Sequence, residues 1–481
     1  MQSQVNPRRW MALAVIALAQ FMVIMDTSII GVALPDIRAD LGFSPEDLSW
    51  VFNAYVIAFG GLLLLGGRLS DLFGAKRIFA LGWVVLAAGS LAAGLADSTA
   101  AEVAARAVQG AGAALIAPSA LTLLMMLFGH DQKELMKAFA VYGAAAPAGG
   151  TAGVFLGGVI AEWLTWPWVF FINIPVALLA LALTPSLMPA APARRGSVDV
   201  IGAVLATAGL ATLVFAIVRA PEQGWDSTET LLVGAGGLVA LAMFVAVQAG
   251  RREPLMRLGV LRAPNLAAAN VAQVLLGAAW VPMWFFLNLY LQQVLGLGAF
   301  EGGAALLPMT VAIMLGMVVV APRAMARVGA KPMVVGGLLL LAAGLVGLSL
   351  ARADGSFAVD VLPASLVAAA GMALAFIPSL QTAISSARPE EGGLASGIVN
   401  TGYQVGSALG LAAMTALAAA HGAGQLGNVA ALTDGYTAAF LGAAGIAVAG
   451  GLVAAVTLRR PQAPDANQSA VDESDRELIA A

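Results

Sequence analysis

Apolar residues run through this chain in long uninterrupted blocks. They do not follow the short period of a half-buried helix or strand. About 20 consecutive apolar residues carry a helix across the hydrocarbon core of a bilayer. Fourteen stretches reach that length, at 10–33, 48–66, 77–96, 101–128, 135–161, 167–187, 199–219, 230–249, 265–290, 302–321, 333–351, 360–381, 393–419 and 435–458. Short polar segments separate them. The pattern predicts an all-α polytopic membrane protein with 14 transmembrane helices. The first stretch is too long for a signal-peptide core, so it reads as a retained helix. The tail 461–481 is polar and acidic and is expected to be a disordered cytoplasmic segment.

Charge sharpens this picture. Only 11% of the residues are charged and 60% are hydrophobic, against about 25% charged in soluble domains. Of the 24 Lys and Arg residues, 20 fall in loops on one side. Arg38, Arg219 and Arg352 fall on the other, and Arg106 lies inside a span. Cytoplasmic loops carry the excess of basic residues, so both termini are expected to be cytoplasmic. An odd number of spans would break this alternation. The net charge of -3 says little, because the signs are sorted by side.

Composition also excludes several kinds of chemistry. Without cysteine there are no disulfides, thiolate metal sites or cysteine nucleophiles. The two histidines, His130 and His421, lie in predicted loops on opposite sides. No metal-ligand spacing, phosphate-binding loop or hydrolase motif is present. An enzyme is not expected, and neither a cofactor nor a nucleic-acid partner is implied.

The chain repeats itself. Residues 67–82, GRLSDLFGAKRIFALG, align with 322–337, PRAMARVGAKPMVVGG, at an offset of 255. Arg68, Gly74, Ala75, Lys76 and Gly82 match Arg323, Gly329, Ala330, Lys331 and Gly337. The repeat predicts an N-terminal six-helix bundle (1–188), an inserted helix pair 7 and 8 with its flanking loops (189–262) and a C-terminal six-helix bundle (263–460). Paired halves around a midplane cavity are a transporter design.

Candidate chemistry centres on Asp26, an acidic residue deep inside span 1. A carboxylate there costs about 2.5–3.5 kcal/mol on insertion scales, and such residues are functional by default. At 1.5 Å per residue, Asp26 and Arg106 both lie ~10 Å below the outer boundary. A contact between them is open to two readings. One is a proton switch, in which Asp26 changes protonation as its surroundings alternate and biases two access states. The other is a permanent ion pair that fixes helix register. No second carboxylate is expected at membrane depth, which favours neutral, zwitterionic or monocationic substrates over dications.

Several segments carry a resemblance. Residues 67–77, GRLSDLFGAKR, resemble the signature loop of the major facilitator superfamily, and residues 106–110, RAVQG, its helix 4 motif. Residues 26–37, DTSIIGVALPDI, are similar to the helix 1 motif of its 14-helix drug:proton antiporter family. Residues 166–175, WPWVFFINIP, and 393–410, GLASGIVNTGYQVGSALG, resemble that family's helix 6 entry and helix 13. The resemblance spans the chain apart from the tail. It implies the major facilitator fold and proton-driven export of a small amphiphilic drug or secondary metabolite, with no cofactor, from a bacterial inner membrane. One chain suffices to form the cavity. Asp26 and Arg106 would couple protons. Gly67, Asp71, Gly74, Lys76, Arg77, Gln109, Gly110, Gly153, Gly157 and Gly158 would form the conformational switch, with Asp71 pairing to cations such as Arg77 and to helix ends.

Two positions depart from the family pattern. Val154 stands where the helix 5 antiporter motif has proline, with Pro147 one register earlier, and Gly31 stands where helix 1 usually carries Asn. Import on the same fold therefore stays open, as does a non-transporting receptor or assembly partner. On helix 9, Gln273, Trp280, Trp284 and Asn288 follow one helical face, and amides flanking two aromatics suit an amphiphilic ligand. Tyr142, Asn400 and Gln404 are further candidates. The alternative for all of these is helix–helix or lipid contact. Trp10, Trp163, Trp166 and Trp168 read as interface anchors.

Overall fold

The computed structural model describes residues 8–459 except 44–47, 49, 191–198, 252–253, 255–257, 260–262, 264, 388–391 and 426. Arg194, Arg195, Arg252, Arg257, Arg262, Arg388, Arg460 and Arg476 of the basic loops, and the tail 461–481, lie outside the described residues. The described residues form helices and connecting turns, with no strand.

The order is α1 (Arg9–Leu41), α2 (Trp50–Phe73), α3 (Ala75–Gly94), α4 (Thr99–Phe128), α5 (Gln132–Trp163), α6 (Trp168–Leu187), α7 (Val200–Gln223), α8 (Thr228–Gly250), α9 (Leu266–Val294), α10 (Phe300–Val328), α11 (Ala330–Leu348), α12 (Phe357–Ser385), α13 (Leu394–Ala423) and α14 (Val429–Thr457). Thirteen of them are long and apolar enough to cross a membrane. In α7 the apolar stretch is the shorter Ile201–Ile217. Several helices outrun their apolar cores. α1 continues to Leu41 and α2 to Phe73, because backbone hydrogen bonding does not stop where hydrocarbon does. Side-chain caps start several helices, including Ser98 for α4, Asp131 for α5, Asp199 for α7 and Ser227 for α8.

The longer α2 corrects one expectation. Gly67, read from sequence as the first residue of the loop after span 2, is buried inside α2. The turn is made by Gly74 alone, at φ +92°, and its repeat partner Gly329 turns into α11 at φ +80°. Only glycine takes that backbone region without strain.

The repeat is visible in packing. α1 lies along α5 and α3 along α4; in the second half α9 lies along α13 and α11 along α12. The same device brings both long pairs together. A side chain at Gly149 or Gly153 of α5 would meet the carbonyls of Phe21 and Met25, and one at Gly406 or Gly410 of α13 those of Val274 and Ala278. Two glycines one turn apart let helix backbones approach in an apolar solvent. Gly82 and Gly337 play matching parts, against Gly112 and Ile116 of α4 and against Gly371 and Ala375 of α12.

α7 and α8 pack on each other, and α7 also contacts α2 and α13. The two six-helix sets meet where α2 and α4 touch α13 and where α5 touches α10. α5 runs unbroken through Pro147, and Val154 is buried beside Gly303 of α10.

Candidate functional site

Asp26 sits midway along α1, where α4 and α6 bond to it and α2 and α3 join the cluster through Arg106 and Gln109. Arg106 Nη1 donates to its Oδ2 at 2.6 Å. Its Oδ1 accepts from Asn173 Nδ2 of α6 at 2.7 Å and from Gln109 Nε2 at 3.2 Å. Arg106 and Gln109 lie three residues apart on α4, the spacing that puts side chains on one face. Arg106 Nη1 also donates to Gln109 Oε1 at 2.7 Å, and its Nε to the carbonyl of Val51 on α2 at 2.8 Å. Gln109 Nε2 donates to Ser90 Oγ of α3 at 2.7 Å. The Tyr55 ring of α2 lies 4.6 Å from the guanidinium carbon and that of Phe170 5.8 Å.

This cluster is closed to solvent, with Asp26 1% and Arg106 0% exposed. Removing one partner of a buried pair costs about 3–5 kcal/mol, because the other charge is left uncompensated. The arrangement can therefore hold one charge state tightly and must rearrange when Asp26 takes a proton. Gln109, expected in the conformational switch, belongs to this cluster. Gly110 beside it admits the Tyr55 carbonyl and so brings α2 against α4.

Ser90 and Asn173 carry parts of the cluster that sequence reasoning did not single out, and Tyr55, a weaker substrate candidate in sequence, lies here against the guanidinium. Asn173 lies in the WPWVFFINIP segment, which was the available signal. Glu102 was missed altogether. It is fully buried in α4, one turn before Arg106, and neither oxygen has a hydrogen-bond partner among the described residues. A second carboxylate does lie within a span, so the charge argument against dicationic substrates loses its premise. Glu102 lies in the first turn of α4, at the edge of the apolar span 101–128, where a carboxylate reads as a helix-end residue facing water.

The expected switch residues separate into distinct roles. Asp71 accepts a hydrogen bond from the Leu394 N–H at the start of α13, at 3.1 Å, so it bridges the two six-helix sets. Lys76 Nζ donates to the Pro185 carbonyl near the end of α6, at 2.7 Å, where a cation suits the helix C-terminus. Arg77 is exposed and forms no ion pair among the described residues. Gly153 packs α5 on α1, while Gly157 and Gly158 are buried on α5. In the same stretch of α5, Phe155 lies tilted against Phe300 of α10 with centroids 5.0 Å apart, and Thr151 hydrogen-bonds Thr310.

The substrate candidates divide too. Trp280 and Trp284 lie 6.2 Å apart, and Trp284 reaches across to Gly150 of α5. Asn288, half-buried, accepts from Gln292 at 3.0 Å. Gln273 is turned into the bundle, donating to the Phe376 carbonyl and Ser379 Oγ of α12. Tyr142 donates to Gln20 Oε1, and Asn400 to the Ser396 carbonyl of its own helix. Gln404 is half-buried on α13. Trp166 is not an interface anchor. It is buried, and its indole N–H donates to Asp40 at 2.9 Å. Trp10, Trp163 and Trp168 are exposed. No group of His, Asp or Glu among the described residues could hold a metal ion.

Comparison with known proteins fits this geometry. The chain is 40% identical over 438 residues to the cephamycin export protein CmcT of Amycolatopsis lactamdurans, covering 90% of this chain and 89% of that one. It is 36% identical to the puromycin resistance protein pur8 of Streptomyces alboniger, covering 97% and 94%. Among solved structures, the human organic anion transporter MFSD10 (TETRAN) superposes with a TM-score of 0.67 at 15% identity, over 93% of this chain and 100% of that one. The profile described as Major Facilitator Superfamily matches residues 16–411. With its helices in that fold and its sequence in that profile, this multi-pass membrane protein belongs to the Major Facilitator Superfamily of transporters.

Proposed function

We propose that the protein exports a small amphiphilic drug or secondary metabolite from a bacterial cell by alternating access, driven by protons that enter at Asp26. The observation that carries this reading is the fully buried Asp26–Arg106 pair with its complete set of donors. Protonating Asp26 removes the charge that holds Arg106, Gln109 and Asn173. α1, α4 and α6 then lose their common anchor and a second packing becomes competitive. The moving bodies are the bundles 1–188 and 263–460, with 189–262 as the inserted pair. Asp71 of α2, hydrogen-bonded to the start of α13, serves as the latch between them. Both termini face the cytoplasm, a single chain suffices, and the proton gradient is the only energy source.

The relatives support the substrate class. Besides cephamycin export and puromycin resistance, a lincomycin resistance protein of Streptomyces lincolnensis is 32% identical over 97% of this chain. Trp280 and Trp284 are the aromatic surface for such a compound, beside the glycine face of α5.

The test is flux of puromycin, lincomycin and a cephamycin in proteoliposomes with an imposed pH gradient, wild type beside Asp26→Asn. Substrate should move against the proton gradient in the wild type, and the variant should bind substrate without gradient-driven flux. Full gradient-driven flux in Asp26→Asn would remove Asp26 from proton coupling. Substrate moving with the protons would reverse the direction to import, the outcome that Val154 at the proline position keeps open. Absence of flux for the whole panel would favour a receptor role.

A further inference from the structure

Glu102 makes none of the hydrogen bonds around Asp26, yet it stands at the edge of that cluster. It is wholly buried, and among the described residues nothing donates to either oxygen. It lies four residues before Arg106, so their side chains share one face of α4, about 5–6 Å apart at Cβ. Arg106 commits Nε and Nη1 and leaves Nη2 without an acceptor. A free carboxyl group and a free guanidinium N–H thus sit one helical turn apart, both sealed from water.

The charged groups around Glu102 are few. Arg106 shares its helix, Asp26 acts on it from α1, and Tyr55 from α2 lies against the guanidinium. α3 and α6 bring only the uncharged Ser90 and Asn173 to the cluster. α13 carries no Asp, Glu, Lys or Arg, and its His421 is exposed; Glu162 at the end of α5 and Asp36, Arg38 and Asp40 at the end of α1 lie at the same end of the bundle as Glu102, but all four are exposed to solvent. With Arg106 already neutralised by Asp26, an ionised Glu102 would be a buried, unpaired charge, the costliest arrangement for a carboxyl group.

We infer that Glu102 is a second proton-binding group of this transporter, neutral while Asp26 is ionised and ionised while Asp26 is neutral. The exchange balances. Glu102 gives up its carboxyl proton, Asp26 takes one up, and Arg106 turns its free Nη2 to the new carboxylate. Arg106 keeps one anionic partner in both states and the net charge of the cluster does not change. Because Glu102 lies in the first turn of α4, between the start of that helix and Arg106, it is the group a proton entering from that side meets first. The inference rests on the proton-coupled reading of Asp26, but its test does not require transport.

The measurement is infrared spectroscopy of the purified protein at neutral pH, following the carboxylic-acid C=O stretch. The wild type should show a protonated carboxyl signal that Glu102→Gln lacks, with unchanged thermal stability, since glutamine matches the neutral acid in shape. Asp26→Asn should lose the same signal, because Arg106 then draws Glu102 into ionisation; Asp26→Ser serves if the first variant fails to accumulate. Identical spectra for wild type and Glu102→Gln would overturn the inference. So would a signal that survives removal of the Asp26 carboxylate. Either result would leave the proton-coupled flux assay of Asp26 standing on its own.

Discussion

Asn173 donates to Oδ1 of Asp26 at 2.7 Å while Arg106 holds Oδ2 at 2.6 Å, so α6 and α4 grip one carboxylate of α1 from two sides. All three side chains are buried. Asp26 is therefore an organising centre for the first six helices as well as the candidate proton site. Asn173→Leu removes a donor to a buried ion and should lower stability by about 1–3 kcal/mol. Thermal unfolding in detergent, in a double-mutant cycle with Asp26→Asn, measures it. A coupling of zero would mean that the two side chains do not interact.

Close helix contact in this protein depends on particular glycines. A Cβ at Gly110 would overlap the Tyr55 carbonyl, whereas one at Gly31 has nothing within 4 Å. Gly110→Ala should cost about 1–3 kcal/mol through overpacking, and Gly31→Ala should be close to neutral. Melting temperatures of the two variants side by side test this, and equal effects would count against the α2–α4 approach described here. Gly31, although a departure from the family motif, is not a packing position.

The Asp71 contact with the start of α13 joins the six-helix sets at the end of α2, next to the start of α3 that carries Lys76. An acidic side chain favours a helix N-terminus by about 0.3–1 kcal/mol. Asp71→Ala should shift the population toward structures open at that end. Spin labels on exposed positions of α3 and α14 should report a longer mean distance in the variant. An unchanged distance distribution would show that Asp71 does not act as a latch.

Outside the membrane spans, Asp131 caps α5 by accepting from the N–H groups of Lys133 and Glu134 at 2.8 and 3.3 Å. These backbone donors hold its carboxyl below the usual carboxylate range. The folded form thus favours the ion, so the cap is fully present above the ordinary carboxylate value. It is lost as the pH falls through the lowered folded value. Hydrogen exchange at the amides of Lys133 and Glu134 should accelerate only in strong acid, and Asp131→Asn should abolish that dependence. Wild-type protection that ignores acid would remove the capping role.

The helices were legible because hydrocarbon imposes a length requirement that any sequence must meet. The turn at Gly74 and its echo at Gly329 were legible because backbone at positive φ demands glycine wherever it occurs. Gln273 was not legible. A buried amide on a helix face looks the same in sequence whether it meets a ligand or a neighbouring carbonyl, and here it meets Phe376 and Ser379. Trp166 misled for a similar reason: a tryptophan at a span end faces lipid headgroups unless a neighbour such as Asp40 accepts its N–H.

The sequence by itself determined the spans, the internal repeat and the presence of a carboxylate at membrane depth. Each of these depends on local composition or on spacing along one helix. Only the tertiary structure decided the company that carboxylate keeps. Arg106 is 80 residues from Asp26 and Asn173 is 147 residues away. Whether either meets it depends on how six helices pack. Packing likewise left Glu102 without a donor one turn from Arg106. A buried charge is defined by its partners, and partners so distant in the chain are brought together only by the fold.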